Sequence, residues 1–382
     1  MKVCILSMQR VNNMGSLLQA YALKNILEKY GHNVSFIDIK YIEEDFKFID
    51  IKYIEEDFKL LENYQLKFEK ETEKTGILGK LSKIDRFFVN RINKKQKSKN
   101  QDEKFENFRK TELEIEKKSN GYDMCIIGSD EVFNCLNAGY WGFTSQLFGN
   151  VLEAKRVITY AASCGATTYE KLPDSVRKRI EETFDNVSAF SVRDRNTYEF
   201  VSKLTNKEIS ENLDPVLIYD FKDEIDNIKV KEMPNRYCVI YSYYNRIHTK
   251  DEIKQILNFC RKNKLEPVAI GAPQFWCKKY IPCTPFECLK IFKEADFVVT
   301  DTFHGTIFAT KYTDKFAVMV RESNKNKLED LTKRLEIEEH IVNSFEELDE
   351  NYIKQKNKNR VDEILEEERK KTFKYLRKNL EA

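Results

Sequence analysis

The chain has 382 residues, of which 41% are hydrophobic and 34% charged, and its formal net charge at pH 7 is only +2. This length predicts two domains, and the hydrophobic fraction excludes disorder over most of the chain. The balanced charge argues against a nucleic-acid-binding protein, which would carry a strongly basic domain. No apolar run is long enough to cross a bilayer, and the run after Met1 is too short for a signal peptide, so a cytoplasmic protein is expected.

The first half of the chain predicts strands and helices in alternation. An apolar run at 3–7 precedes a helix whose apolar positions begin at Leu17 and which ends before Gly31. A strand at 34–39 completes a strand–helix–strand unit, which is the start of a parallel sheet. Further elements are predicted as strands at 122–127, 157–162 and 189–194 and helices at 175–184 and 195–203.

The second half repeats this alternation after a charged linker at 220–235. Strands are predicted at 237–243, 267–271, 297–300 and 316–320, and helices at 251–262, 284–293 and 306–312. The pattern predicts an α/β protein with two Rossmann-like doubly wound domains and an interdomain cleft. The expected parts are an N-terminal domain at 1–220, a C-terminal domain at 235–345 and a charged helical tail at 346–382.

A tandem repeat interrupts the first domain. Residues 36–47 read FIDIKYIEEDFK, and residues 48–59 repeat them letter for letter. One extra copy of twelve residues is too short and too isolated for a solenoid. The second copy is therefore assigned to a helical insertion at about 48–118, where additional residues cost little.

Nine cysteines occur without any CxxC pair, and Cys277, Cys283 and Cys288 are not spaced as zinc ligands. Free, mostly buried thiols are predicted, with no metal and no cofactor.

The segment after the predicted strand at 297–300 carries the strongest chemical signal. His304 and Gly305 open a helix there, and a helix N-terminus binds anions readily. His304 is the candidate general acid, and Gly305 would allow a ligand to approach the backbone. The alternative is a histidine that caps the helix or hydrogen-bonds in the core. The substrate-binding candidates around it are Asp301, Thr302, Gly305 and Thr306.

Arg193 follows another apolar strand, and its guanidinium would suit a phosphate or carboxylate. An ordinary ion pair with Asp194 or Asp214 is an equally weighted alternative.

Two more loops follow predicted strands. Asn13, Gly15 and Ser16 could bind a sugar or an anion, or Ser16 could simply cap the next helix. Ser129 and Asp130 could bind a sugar, with Asp130 as the base that takes the proton of a sugar hydroxyl. Alternatively, Asp130 could cap a helix after a turn.

Tyr243 and Tyr244 could stack on a sugar, but the sequence favours core packing for both.

Together these segments resemble the polysaccharide pyruvyl transferase family over roughly residues 1–345. Residues 13–23 are similar to the family's opening loop and helix, and 123–134 to its D-x-x-I-x-G-S-D-Q-V-W-N segment. Residues 301–309, DTFHGTIFA, look like its most diagnostic block, and 325–331 are similar to a later basic segment.

The resemblance implies a two-lobed fold like that of GT-B glycosyltransferases. It implies transfer of a pyruvyl group from phosphoenolpyruvate to a sugar of a surface polysaccharide or its precursor, forming a ketal. The first domain would take the acceptor and the second phosphoenolpyruvate. His304 would be the general acid or a phosphate contact, and Arg193 would hold phosphate or carboxylate. A lipid-linked acceptor would bring the protein to the membrane periphery, whereas a nucleotide-linked acceptor would not.

Departures from the family pattern leave other functions open. Members of the family have an R-L-H-like sequence where this chain has Thr302, Phe303 and His304, so one expected arginine is absent. Its charge could come from Lys311, Lys315 or Arg321. Arg321 is therefore a further substrate-binding candidate. Glu131 and Phe133 replace the usual Gln and Trp. The alternatives are a GT-B-type nucleotide-sugar glycosyltransferase and a non-catalytic glycan-binding member of the same fold.

Overall fold

The computed structural model describes residues 1–40, 98–135, 143–244 and 246–381. The chain divides into two compact units, each assembled from separate segments. The first unit consists of Met1–Met8, Leu27–Ile92 and Lys117–Asn212, and the second of Gln9–Ile26, Asn93–Glu116 and Leu213–Ala382. The second unit thus includes two segments from within the sequence range 1–220. The second repeat copy and most of the predicted insertion lie outside the described residues.

The first unit is built on a sheet of six parallel strands in the order β2-β1-β3-β4-β5-β6. Strand β3 is buried along its whole length, as expected for a sheet covered on both faces. The order reverses between β1 and β3, so the connections leave towards opposite faces there. The strands are β1 Lys2–Leu6, β2 Asn33–Phe36, β3 Met124–Asp130, β4 Val157–Ala162, β5 Val187–Val192 and β6 Ile209–Glu211.

Within its described residues, the first unit has helices Asp174–Phe184 and Arg195–Ser202 and 3-10 turns at Ser145–Phe148 and Tyr169–Lys171. The helix Met14–Lys29, here called the opening helix, begins in the second unit and ends in the first. Gly31 follows it with φ +80°, a conformation that favours glycine after a helix end.

The second unit contains another six parallel strands, in the order β12-β11-β10-β7-β8-β9. Here the order reverses between β7 and β10. The strands are β7 Tyr237–Tyr241, β8 Glu266–Ala269, β9 Lys279–Tyr280, β10 Phe297–Thr300, β11 Phe316–Met319 and β12 Ile341–Val342.

Helices surround this second sheet, and several show the expected start signals. Two helices begin with capping boxes, formed by Thr249 with Glu252 and by Thr284 with Glu287. In each, the threonine side chain accepts the N–H of the glutamate, and the glutamate side chain accepts the N–H of the threonine. The other elements are residues 98–108, a π-helical turn at Arg109–Leu113, helices Pro215–Ile218, Lys222–Ile225, Lys250–Lys262, Pro285–Glu294, Phe303–Tyr312, Lys325–Arg334, Leu348–Tyr352 and Lys358–Leu380, and 3-10 turns at Glu322–Asn324, Glu338–His340 and Phe345–Glu347.

The two predicted doubly wound sheets are confirmed, and strands β4 and β10 match their predicted bounds. The helix predicted to begin at Thr306 instead begins at Phe303, which brings His304 into its first turn. Strands β6, β9 and β12 escaped prediction because two or three residues show no periodicity. All nine cysteines are free and buried, as expected. Among the described residues, none of the helices is long and apolar enough to cross a membrane.

Candidate active site

His304 lies in the first turn of the helix Phe303–Tyr312, here called the histidine helix. Thr302, and not His304, caps this helix, because its hydroxyl accepts the N–H of Gly305 at 3.0 Å. The hydroxyl of Thr306 donates back to the carbonyl of Thr302 at 2.9 Å. The imidazole is therefore not used for capping, and its side chain is about 10% exposed.

Gly15, at the start of the opening helix, lies directly against the His304 ring. A Cβ atom added to Gly15 would lie 2.0 Å from Cγ and 2.1 Å from Nδ1 of His304. Any side chain at residue 15 would occupy the space of the imidazole. Two of the predicted site residues are thus in contact, and glycine is required here by the close approach.

Asp214 faces the other nitrogen of the same ring. Its Oδ2 lies 3.5 Å from Nε2 of His304, and the carboxylate is fully buried. Its Oδ1 accepts the N–H of Val216 at 3.0 Å, so it also caps the helix Pro215–Ile218. A carboxylate in this position favours one orientation of the imidazole. The sequence signal was present but ambiguous, because Asp before Pro is also an ordinary helix start.

The start of the opening helix is held from two sides. The side-chain oxygen of Asn13 accepts the N–H of Gly15 at 2.8 Å and that of Ser16 at 3.4 Å, so Asn13 rather than Ser16 is the cap. The preceding segment is bound by Arg109, whose guanidinium is 1% exposed. Arg109 donates to the carbonyl of Gln9 at 2.9 Å and to that of Arg10 at 3.0 Å.

Asp301 and Arg321 bind each other in the second unit. Arg321 Nε donates to Asp301 Oδ2 at 3.3 Å, and Nη1 donates to Glu252 at 2.6 Å. Asn324 donates to the carbonyl of Asp301 at 2.7 Å. Burial raises the pKa of the Asp301 carboxyl, and the charges of Arg246 and Arg321 oppose this rise. This ionic cluster joins the segments that follow β10 and β11.

Lys311 anchors the far end of the histidine helix. Its ammonium donates to the carbonyl of Val216 at 2.7 Å and to that of Tyr219, and it lies 5.1 Å from the ring centroid of Phe221. Burial lowers its pKa to about 7. Lys311 and Arg321 thus both have other partners, which weakens the idea that either supplies the charge of the arginine absent at 302.

Arg193 and Asp130 form a buried ion pair in the first unit. Arg193 Nη2 lies 3.6 Å from Asp130 Oδ1, and the side chains are 1% and 10% exposed. The suggested pairing with Asp194 is wrong, because Asp194 caps the helix Arg195–Ser202 through Thr197 and accepts the hydroxyl of Ser163 at 2.7 Å. The suggested pairing with Asp214 stays a prediction.

Asp130 ends β3, and a turn rather than a helix follows it in the described residues up to Cys135. Its carboxylate accepts the N–H of Glu131 at 2.9 Å, and its φ of +81° is unusual for a non-glycine residue. Ser129 donates to the carbonyl of Ala161 at 3.0 Å, so its hydroxyl is engaged inside the sheet.

The predicted residues therefore fall into three groups. His304 contacts Gly15 beside the Asn13 cap, Asp301 pairs with Arg321, and Asp130 pairs with Arg193. The first two groups belong to the second unit and the third to the first unit. All follow carboxyl ends of parallel strands, where doubly wound sheets bind ligands.

The sequence profile of the polysaccharide pyruvyl transferase family matches residues 13–319. The chain belongs to this family. The matched range includes His304, Gly15, Asp214 and the Arg193–Asp130 pair. A comparison with curated proteins finds no match.

Solved structures of sugar-nucleotide enzymes share a distant likeness with the chain. UDP-GlcNAc 2-epimerase of Methanocaldococcus jannaschii, in complex with UDP-GlcNAc and UDP, has 12% identity and a TM-score of 0.47, over 96% of this chain and 99% of that one. MnaA of S. aureus with UDP has 13% identity and a TM-score of 0.44, over 96% and 88%. The spinosyn rhamnosyltransferase SpnG has 10% identity and a TM-score of 0.41, over the whole of both chains. Scores of this size support neither a shared ligand nor a shared reaction.

Proposed function

We propose that this protein transfers a pyruvyl group from phosphoenolpyruvate to a sugar of a surface polysaccharide or its precursor, forming a ketal. The observation that carries the proposal is the placement of His304. A histidine in the family's diagnostic block lies in a helix's first turn, against Gly15 and opposite a buried carboxylate. That arrangement suits a proton donor with a fixed orientation.

The chemistry requires one proton donor, one base and positive charge. His304 protonates the methylene carbon of phosphoenolpyruvate, which becomes a methyl group and leaves the central carbon electron-poor. A sugar hydroxyl attacks that carbon and gives its proton to a base, for which Asp130 is the candidate. The bond from the central carbon to the phosphate oxygen then breaks, and phosphate leaves. A second hydroxyl attacks the same carbon, gives its proton to the imidazole of His304, which restores the donor, and closes the ketal.

The charged groups of the first unit keep their predicted roles within this proposal. Arg193 is the candidate contact for phosphate or carboxylate, and Asp130 already lies 3.6 Å from it. Such a pair can exchange partners when an anion binds, because the guanidinium has five donors. Other predicted residues are proposed to shape the substrate sites, mainly by hydrogen bonds to the backbone of the loops. They are Asn13, Ser16, Ser129, Thr302 and Thr306. The reaction as written needs no cofactor.

The test is phosphate release from phosphoenolpyruvate across a panel of lipid-linked and nucleotide-linked sugars, with mass detection of the ketal product. For an acceptor that turns over, His304→Ala is expected to lower kcat by roughly 10²–10⁴-fold. The matched control is His32→Ala, which lies in the first unit and should retain wild-type turnover. Normal turnover by His304→Ala would remove the histidine from the mechanism.

A non-catalytic glycan-binding protein is the second candidate. It is favoured by Thr302, which stands in the place of the family's arginine, and by the other partners of Lys311 and Arg321. Glycan binding without any phosphate release across the panel would support this second function over the first.

A further inference from the structure

Three exposed aromatic side chains lie in the loops that follow two neighbouring strands of the second unit, β7 and β8. Tyr243 is 43% exposed, Tyr244 56% and Phe275 52%. The core packing expected for the two tyrosines is therefore wrong. The other large hydrophobic side chains exposed to this degree in the described ranges are aliphatic, namely Met1, Leu152 and Ile353. Exposed aromatic side chains that lie on neighbouring loops are typical of a binding surface.

These side chains belong to two loops that are tied together. Tyr243 and Tyr244 follow β7, and Phe275 follows β8, which pairs with β7. The buried side chain of Gln274 donates to the carbonyls of Ser242 and Tyr243, at 3.2 Å in both cases. Trp276 donates to the carbonyl of Ile247 at 3.0 Å. The loops are thus held before any ligand arrives, which reduces the entropy lost on binding.

The position in the sheet is one where ligands bind. The strand order of the second sheet reverses between β7 and β10, and both loops leave the carboxyl end of their strands. The loop after β10 leads to His304. Crevices at such a reversal are the usual ligand sites of doubly wound folds.

Polar groups accompany the aromatic rings. The guanidinium of Arg246 lies 5.3 Å from the ring centroid of Tyr243. It also donates to Ser323 and, at 3.4 Å, to the carbonyl of Asp301, so its orientation is fixed. The two tyrosines add phenolic hydroxyl groups. Exposed aromatic rings beside a fixed donor suit a ligand that has both an apolar face and hydroxyl groups.

We propose that Tyr243, Tyr244 and Phe275 form a platform for the saccharide ring of the acceptor, with Arg246 as a polar neighbour. A pyranose ring has one face of C–H bonds that packs on an aromatic face, while its hydroxyl groups stay at the edge for hydrogen bonds. That this saccharide is the acceptor rests on the proposed function, whereas binding of a saccharide does not. The resemblance assigned the acceptor to the first domain, so this platform adds a saccharide contact in the second unit.

The experiment is saturation-transfer-difference NMR on the full chain. The probes are methyl β-galactopyranoside, methyl β-N-acetylglucosaminide, UDP-galactose and UDP-N-acetylglucosamine. We expect saturation of pyranose ring protons by at least one probe. We expect at least a fivefold loss of this signal in the Tyr243→Ala/Phe275→Ala variant. The control, Leu152→Ala/Ile353→Ala, removes apolar side chains that are even more exposed, 87% and 79%, elsewhere in the chain and should keep the signal.

Tyr243→Phe separates stacking from folding, because it keeps the ring and should retain at least half of the signal. Each contrary result overturns the platform: no saturation with any probe, saturation confined to uracil and ribose, or equal loss in the control. Loss of a wild-type oligomer in the aromatic variant, seen by light scattering without saccharide signal, would identify a self-association surface instead. Because no turnover is needed, a failed phosphate-release assay leaves this test intact, and the reverse also holds.

Discussion

The second unit positions His304 by shape, whereas the first unit positions Arg193 by charge. His304 rests in the space left by Gly15, and its distance of 3.5 Å from Asp214 lies outside good hydrogen-bond geometry. Arg193 instead pairs with Asp130 where both side chains are almost excluded from solvent. A site held by shape is sensitive to one added methyl group. A site held by charge is sensitive to the loss of one charge.

The largest effect should come from breaking the buried pair. Arg193→Met leaves the Asp130 carboxylate buried without the arginine charge, and we expect the free energy of unfolding to fall by about 3–5 kcal/mol. Arg193→Met/Asp130→Asn removes the unpaired charge and keeps the oxygen that accepts the N–H of Glu131, so it should recover most of this loss but no turnover. Urea unfolding measures both variants.

A control for this prediction is the exposed pair of Arg360 and Glu336, whose side chains are 42% and 52% exposed. Arg360→Met should change the free energy of unfolding by less than about 1 kcal/mol. Equal losses in Arg193→Met and Arg360→Met would show that burial of the first pair gives it no special weight.

Adding one methyl group should have the next largest effect. Gly15→Ala places its Cβ within 2.0 Å of the His304 ring, so the ring or the helix must shift. We expect kcat to fall roughly 100-fold, the effect of a misplacement of about 1 Å. Gly31→Ala is the control, since no atom lies within 4 Å of its added Cβ. It should lose about 1–2 kcal/mol of stability from its positive φ and keep its kcat.

Replacing the carboxylate behind His304 should have a smaller effect than blocking its space. Asp214→Asn retains the size and the capping oxygen but removes the charge that faces Nε2. We expect kcat to fall only roughly tenfold, with little change in KM for phosphoenolpyruvate, because the charge of Asp214 adds to an orientation of the imidazole that the space beside Gly15 already sets. An unchanged kcat across the pH range would mean that Asp214 serves only as a helix cap.

The smallest effect concerns the pH dependence of stability. Burial holds the pKa of Lys311 at about 7, against 10.5 in an unfolded chain. Between these values the unfolded chain binds a proton that the folded protein has released. Stability should therefore rise with pH above about 7, by at most about 1.4 kcal/mol per pH unit. Unfolding at pH 7, 8 and 9 should show this slope in the wild type and a lower slope in Lys311→Met. Identical slopes would contradict the assignment.

The sequence predicted the local parts of this molecule better than their partners. The bounds of β4 and β10 follow from apolar runs, and the place of His304 follows from a strand that ends before a helix. The pairing of Arg193 with Asp130 did not follow, because Asp194 is its neighbour in sequence and only the fold brings Asp130 beside it. The contact of His304 with Gly15 and Asp214 joins three distant segments, which no periodicity encodes.

The solvent exposure of Tyr243 and Tyr244 was also not predicted from the sequence. Tyr243 and Tyr244 follow a buried strand, so continuing the strand over them seemed natural. The strand stops at Tyr241 because the chain turns there, and the next two rings face solvent. Side-chain burial beyond a strand end depends on the neighbouring loops.

Two anchors fix the chain on either side of residues 41–97. Before this stretch, the backbone N–H of Lys40 donates to the side chain of Gln146 at 2.7 Å, and the hydroxyl of Thr144 donates to the carbonyl of Lys40 at 2.7 Å. After it, the guanidinium of Arg109 donates hydrogen bonds to the carbonyls of Gln9 and Arg10. None of these hydrogen bonds involves the second copy of the twelve-residue repeat at 48–59. A variant that lacks this copy would therefore retain every contact that holds the two anchors.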